Sequence, residues 1–201
     1  LAIDITVAVP GTARVGEGPF WDPDTSELTW VDILGGAIHT TGPTRPDPRT
    51  IIMPTLVGAA VPKRSGGFVA ATVEGFTDIR RDGSWIIPHT VLPPGRRVLA
   101  RFPSGGGAPD GMAIDAEGCL WIAMWGGGRL VRLDPEGRLL SEVPVPVAQP
   151  SSCAFGGPDL DVLYVTTARE GLGPHPVGPA GSVLAVRGLG VQGMPTARFG
   201  G

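Results

Sequence analysis

Four copies of one strand–turn–strand pattern, opening at residues 17, 58, 110 and 152, predict an all-β chain folded as a β-propeller. The openings recur roughly every 40–50 residues, and a unit of that length with about four strands is the signature of a propeller blade. No helical period holds for more than a turn anywhere in the 201 residues. The 32 Gly and 22 Pro punctuate many short strands, and the 42% hydrophobic content argues against a disordered chain.

The elements follow in order. Residues 3–7 alternate as a strand, placed outermost in a blade, where it closes the ring beside the C-terminal unit. The first unit has strands at 17–22 and 28–32 around a polar turn, then a weaker third at 37–40. The second has 58–61, a Ser65-Gly66-Gly67 turn, 68–71 and 76–79, ending at Asp82-Gly83. The third has 110–115, the turn 116–118, 120–123 and the clear strand 129–133, closed by Asp134-Pro135-Glu136-Gly137. The fourth has 152–155, a turn through Pro158-Asp159, 163–166 and 182–186. All 201 residues are read as one propeller domain.

Charge and composition exclude several classes of function. A net charge of -3 and a pI near 5.6 leave no footprint for nucleic acid or an anionic membrane. No stretch reaches the ~18 apolar residues of a membrane span, and no secretory signal is visible. Cys119 and Cys153 are too few for a disulfide framework and read as buried free thiols of a reducing, cytoplasmic compartment. Gly105-Gly106-Gly107 and Gly126-Gly127-Gly128 open no helix and lack the lysine of a phosphate loop, and no G-x-S-x-G elbow is present.

The repeat also predicts where function sits. The start of each innermost strand points to the central channel at one face, and the equivalent residues are Glu17, Gly58, Asp110 and Ser152. Inner strands are otherwise apolar, so acids there need a reason. Two carboxylates converging at a channel mouth repel unless a cation lies between them. Two readings stay open: a metal site, or carboxylates that cap turns and bond backbone amides of the next blade.

The motifs themselves are recognisable. Residues 15–22 (Val-Gly-Glu-Gly-Pro-Phe-Trp-Asp), followed by 28–33, resemble the opening of the SMP-30/gluconolactonase/regucalcin-like family. The stretches 105–115, 120–128 and 151–160, and the ending 180–184 with Arg198-Phe199, resemble the same family in the same order. The resemblance implies a six-bladed propeller with a divalent metal in its channel, hydrolysing sugar lactones such as gluconolactone. It implies three ligands: a Glu in an opening E-G-P motif, an Asn in a mid-chain motif, and the Asp of P-D-G. Glu17 and Asp110 match the first and third, and Asp110 takes the added role of general base. Oxygen ligands suit Ca²⁺, Mg²⁺ or Mn²⁺, and Zn²⁺ stays open.

One departure is large. Six blades need roughly 270 residues, and four units are recognisable here. About two blades of the family pattern are missing between Pro88 and Arg96, and the chain contains no Asn. An internal deletion, natural or artefactual, an omission of residues, and a four-unit variant closing alone or by pairing all remain open. Three functions compete: a lactonase or a shortened relative of one, a non-catalytic remnant, and a binding platform for a protein partner. The oligomeric state is left open.

The remaining candidates are weaker. Ser152 adds a hydroxyl or water-mediated contact, against a strand-start hydroxyl. Trp125 lines the channel mouth, while Trp21, Trp30 and Trp121 read as inter-blade core. Cys153 is read as a small buried hydrophobe in preference to a nucleophile. His39, His89 and His175 are read as surface residues.

Overall fold

A computed structural model describes residues 2–43, 45–72, 75–80, 85–86, 100, 102 and 105–196. The suspected shortening near 88–96, His89 and the Arg198-Phe199 ending lie outside the described residues. The chain opens with β1 (Asp4–Val9). A first sheet follows: β2 (Gly16–Asp22), β3 (Glu27–Asp32), β4 (Ala37–Gly42) and β5 (Arg45–Ile52), paired in that order. The second is β6 (Val57–Pro62), β7 (Phe68–Thr72), β8 (Gly75–Ile79) and β9 (Trp85–Ile86). The third is β10 (Ala108–Ile114), β11 (Leu120–Trp125), β12 (Arg129–Leu133) and β13 (Leu139–Pro144). The fourth holds β14 (Pro150–Gly156), β15 (Val162–Thr167) and β16 (Val183–Arg187). All pairings are antiparallel, so four blades of a propeller meander are present.

The fourth blade is finished by the first strand. β1 pairs with β16 from Asp4↔Arg187 to Val9↔Val183, so the strand expected at 3–7 closes the ring beside the C-terminal unit. Ile5 packs against the apolar core and Val9 is 7% exposed. Without β1, the edge of β16 would offer unpaired backbone groups to other chains. Deletion of residues 1–9 is expected to lower Tm by about 5 °C or more, since the lost burial of Val9 and Ile5 is worth a few kcal/mol and each is roughly 2–4 °C at this length. Differential scanning fluorimetry with gel filtration checks it, the filtration showing self-association of the deleted form.

Blades meet through apolar faces in the order second, first, fourth, third. Val31, Ile38, Val57, Phe68 and Ile79 join the first two. Trp21, Leu28, Trp30, Val9 and Val183 join the first to the fourth, with Trp21 stacked on Tyr164 at 5.8 Å. Trp121, Leu130, Phe155, Leu163 and Leu184 join the fourth to the third, with Trp121 edge-on to Phe155 at 6.3 Å. β11, second in its blade, shows why such a strand reads as a continuous apolar run. Trp121 and Ala123 face the fourth blade, while Ile122 and Met124 face away, against Ala100 and Phe102.

The turns are built by carboxylates. Asp115 is fully buried; its Oδ1 accepts the amides of Glu117 and Cys119, both at 3.0 Å. Its Oδ2 accepts Trp121 Nε1 at 3.0 Å and Arg132 Nε at 2.8 Å. Asp134 repeats the device, accepting the Glu136 and Arg138 amides at 3.0 and 2.8 Å. Past the last strand the chain crosses under two blades: Gln192 accepts the Ala116 amide and Gly193 donates to Leu160, both at 2.8 Å. Among the described residues no helix is long and apolar enough to cross a membrane.

Candidate functional site

Every innermost strand carries one extra residue near its start. The register slips between Glu17 and Phe20 in β2, Val57 and Ala59 in β6, Pro109 and Met112 in β10, and Pro150 and Ser152 in β14. Such a bulge re-aims side chains and locally ends the pairing. In β2 the bulge needs Gly18, which sits at φ +53 directly after Glu17. In β10 it needs Gly111, where a Cβ would run into the Ser152 side chain.

The bulges gather the equivalent residues. Glu17, Gly58 and Asp110 line one open cavity of about 470 Å³, and Trp125 at the end of β11 lines it too. Ser152 lies behind this wall, 6% exposed, and its hydroxyl acts on the Glu17 carboxylate. The chain entering β2 is fixed by buried Asp32, whose carboxylate accepts the amides of Arg14 and Val15 at 3.0 and 3.1 Å. From the fourth blade, the Ser151 hydroxyl donates to the Gly16 carbonyl. Glu17 is thereby held from two blades while Asp110 is exposed on a third.

The electrostatics follow from that placement. Burial pushes the Glu17 carboxyl up to about 7. Its own bond from the Gly18 amide at 2.9 Å opposes the rise, the charge of Asp110 adds to it, and the Ser152 hydroxyl opposes it. Burial also raises Asp110. Two carboxylates that disfavour each other's charge are what a cation would relieve. The donor set, two carboxylates beside a hydroxyl, fits a hard divalent ion in kind. Among the described residues no third His, Cys, Asp or Glu joins them.

The other candidates fall elsewhere. Trp21, Trp30 and Trp121 are buried between blades. His39 is half-buried, stacked on Trp30 at 5.2 Å and bonded to the Thr50 hydroxyl, away from the cavity lining. His175 is exposed in the loop between β15 and β16. Cys153 and Cys119 are buried free thiols, and burial pushes Cys153 up to about 12 and Cys119 upward as well. Neither is a thiolate at neutral pH. No thiol is expected to react with Ellman's reagent in the folded protein, and two should react in guanidinium; absorbance titration checks this. The apolar part of the cavity wall, including Val15 and Ile33, lies within the recognisable stretches, but nothing in those stretches marks its residues as lining a cavity.

Comparison with known proteins adds a lineage. The chain matches the profile of the SMP-30/Gluconolactonase/LRE-like region in two stretches, residues 15–91 and 86–169. The two matches meet at 86–91, beside the expected shortening. Rabbit (Oryctolagus cuniculus) regucalcin is 44% identical over 110 residues, covering 53% of this chain and 37% of its own length. The chain therefore aligns there with little more than a third of that relative. Xenopus laevis regucalcin is 25% identical over 299 aligned positions, covering 100% of this chain and 99% of its own. Among solved structures, a calcium-binding protein, regucalcin from Agrobacterium tumefaciens, superposes with a TM-score of 0.78 at 21% identity, covering 96% of this chain and 97% of that one. Such identity speaks for the fold.

Proposed function

Because the chain belongs to the SMP-30/gluconolactonase/LRE-like family, we propose that it is a metal-dependent hydrolase that opens small lactones, with the family's sugar lactones as first candidates. The observation that carries this is the meeting of Glu17 and Asp110, from two blades, on one cavity. Glu17 and Asp110 would hold the ion, one of Ca²⁺, Mg²⁺, Mn²⁺ or Zn²⁺. When bound, a divalent cation supplies Lewis-acid polarisation of the lactone carbonyl. Asp110, exposed beside Glu17, takes a proton from the attacking water as general base. Ser152 orients the Glu17 carboxylate from behind. Trp125 bounds the space in which the ring lies.

The same reading takes residues 1–201 as one propeller domain, shortened near 88–96, in the cytoplasm. A second reading is a shortened propeller that binds without turnover. It is favoured by two carboxylates standing without a third acid or imidazole among the described residues, in a chain without Asn. A coupled acid-release assay separates the two. Glucono-δ-lactone and unsubstituted δ-valerolactone are tested with each of the four cations. Turnover that stops with EDTA and returns with metal supports the hydrolase. No metal-dependent turnover of either lactone overturns it.

A further inference from the structure

The cavity that holds Glu17 and Asp110 has a second property. Among the described residues, its remaining wall is built from Val15, Ile33, Ala108, Pro109 and Trp125, beside the bare backbone of Gly58. These side chains are held there for clear reasons. Val15 bridges to Ala168 at the mouth of the fourth blade, and its carbonyl accepts the Ile33 amide at 2.9 Å. Ile33 in turn packs against the core shared by the first two blades. Ala108 and Pro109 pair with Trp125 and Met124 at the head of the third blade. The wall is thus continuous with framework and is not free to turn polar groups inward.

We propose that this cavity selects lactones with an apolar, largely unhydroxylated ring substituent, and that Trp125 is the specificity-determining surface on which that substituent stacks. This rests on the lactonase reading and, among its small lactones, places unhydroxylated rings ahead of the sugar lactones. The described wall offers a polyol the two carboxylates, which the reaction itself uses, and the single N–H of the Trp125 indole. A polyhydroxylated ring lying against Val15, Ile33 and Trp125 would leave hydroxyls facing carbon, and a hydroxyl taken from water without a partner is costly. An aryl or alkyl ring face gains from the same wall, and an aromatic face gains more through offset stacking on the indole. A volume of about 470 Å³ lies within the range of small-molecule sites and leaves room for a fused bicyclic lactone.

The test uses the full chain. Isothermal titration compares two non-hydrolysable lactams, dihydroquinolinone and gluconolactam. In parallel, kcat/KM is compared for dihydrocoumarin and glucono-δ-lactone in Mn²⁺. The aromatic lactam should bind about tenfold or more tightly, the scale on which a hydrophobic pocket discriminates. Trp125→Ala should erase that preference and Trp125→Phe should keep most of it, with the melting temperature of each variant recorded alongside. Equal or tighter binding of gluconolactam overturns the inference, as does a preference unchanged in Trp125→Ala. If dihydroquinolinone is preferred but no lactone turns over, the lactonase reading fails and the selectivity stands. If glucono-δ-lactone is the better substrate, the selectivity fails and the lactonase reading stands.

Discussion

Asp110→Asn is expected to lower kcat/KM for lactone hydrolysis by about 10²–10⁴-fold, the range that a positioned general base contributes. The amide keeps the size of the side chain and an oxygen that faces the cavity, but it accepts no proton from water at neutral pH. Asp110 is exposed in the bulge of β10, and exposed positions rarely move stability by more than about 0.5 kcal/mol. Rate and melting temperature should therefore part company. Progress curves of acid release beside a thermal melt measure both. A variant with wild-type rate removes Asp110 from the chemistry, and one that melts far below wild type moves the residue from chemistry to structure.

Asp115→Ala is expected to be the most damaging single change to stability. The carboxylate is wholly buried and joins two turn amides, the Trp121 indole and Arg132, whose guanidinium also meets Glu117 at 2.7 Å and lies over the Trp121 ring. Removing one member of a buried pair strands the other and costs about 3–5 kcal/mol. At roughly 2–4 °C per kcal/mol, the loss in Tm should be about 10 °C. The double variant Asp115→Ala/Arg132→Ala should recover little of it, because Arg132 keeps Glu117 in the single variant while the two turn amides and the indole lack their acceptor in both.

The same carboxylate predicts a pH dependence. Burial pushes Asp115 up, but the Cys119 amide and the Arg132 and Trp121 donors outweigh it and hold the group below the usual carboxylate range. A depressed pKa contributes stability that is fully present above the unfolded value of about 3.9 and is lost as pH falls through the lower folded value. The Tm gap between wild type and Asp115→Asn should thus be flat from neutral pH down to about pH 4 and close below it. A gap that closes near neutral pH would place the carboxyl in another state.

Much of this architecture is legible in the amino-acid order, and the exceptions have physical causes. The second strand of a blade announces itself where both of its faces are buried: Leu120 to Trp125 is an unbroken apolar run. The pairing of β1 with β16 is legible because a propeller ring closes by setting a strand from the start of the chain beside the C-terminal unit. The outermost strands are harder to read. β13 is exposed along nearly its whole length, so Leu139 and Leu140 face water, and no alternation marks it as a strand. β5 contains Pro46 and Pro48, which a central strand would not tolerate and an edge accepts. For the site, Glu17 and Asp110 stand out because acids are rare at the heads of inner strands. The bulges that aim them are not legible, since they depend on register against the neighbouring strand. The role of Ser152 behind Glu17 depends in the same way on the bulge at Gly111.

The pairing of β1 with β16 also sets an order of events during synthesis. Asp4 is made well before Arg187, so the strand that completes the fourth blade waits while the three blades between them emerge. Until then the other three blades fold from local hairpins, and β1 remains without its partner. Contacts that span so much sequence form late, because loop closure must be met before they return any free energy. The nascent chain before β1 meets β16 leaves both of these edges unpaired, and it is the form more exposed to wrong partners and to proteases.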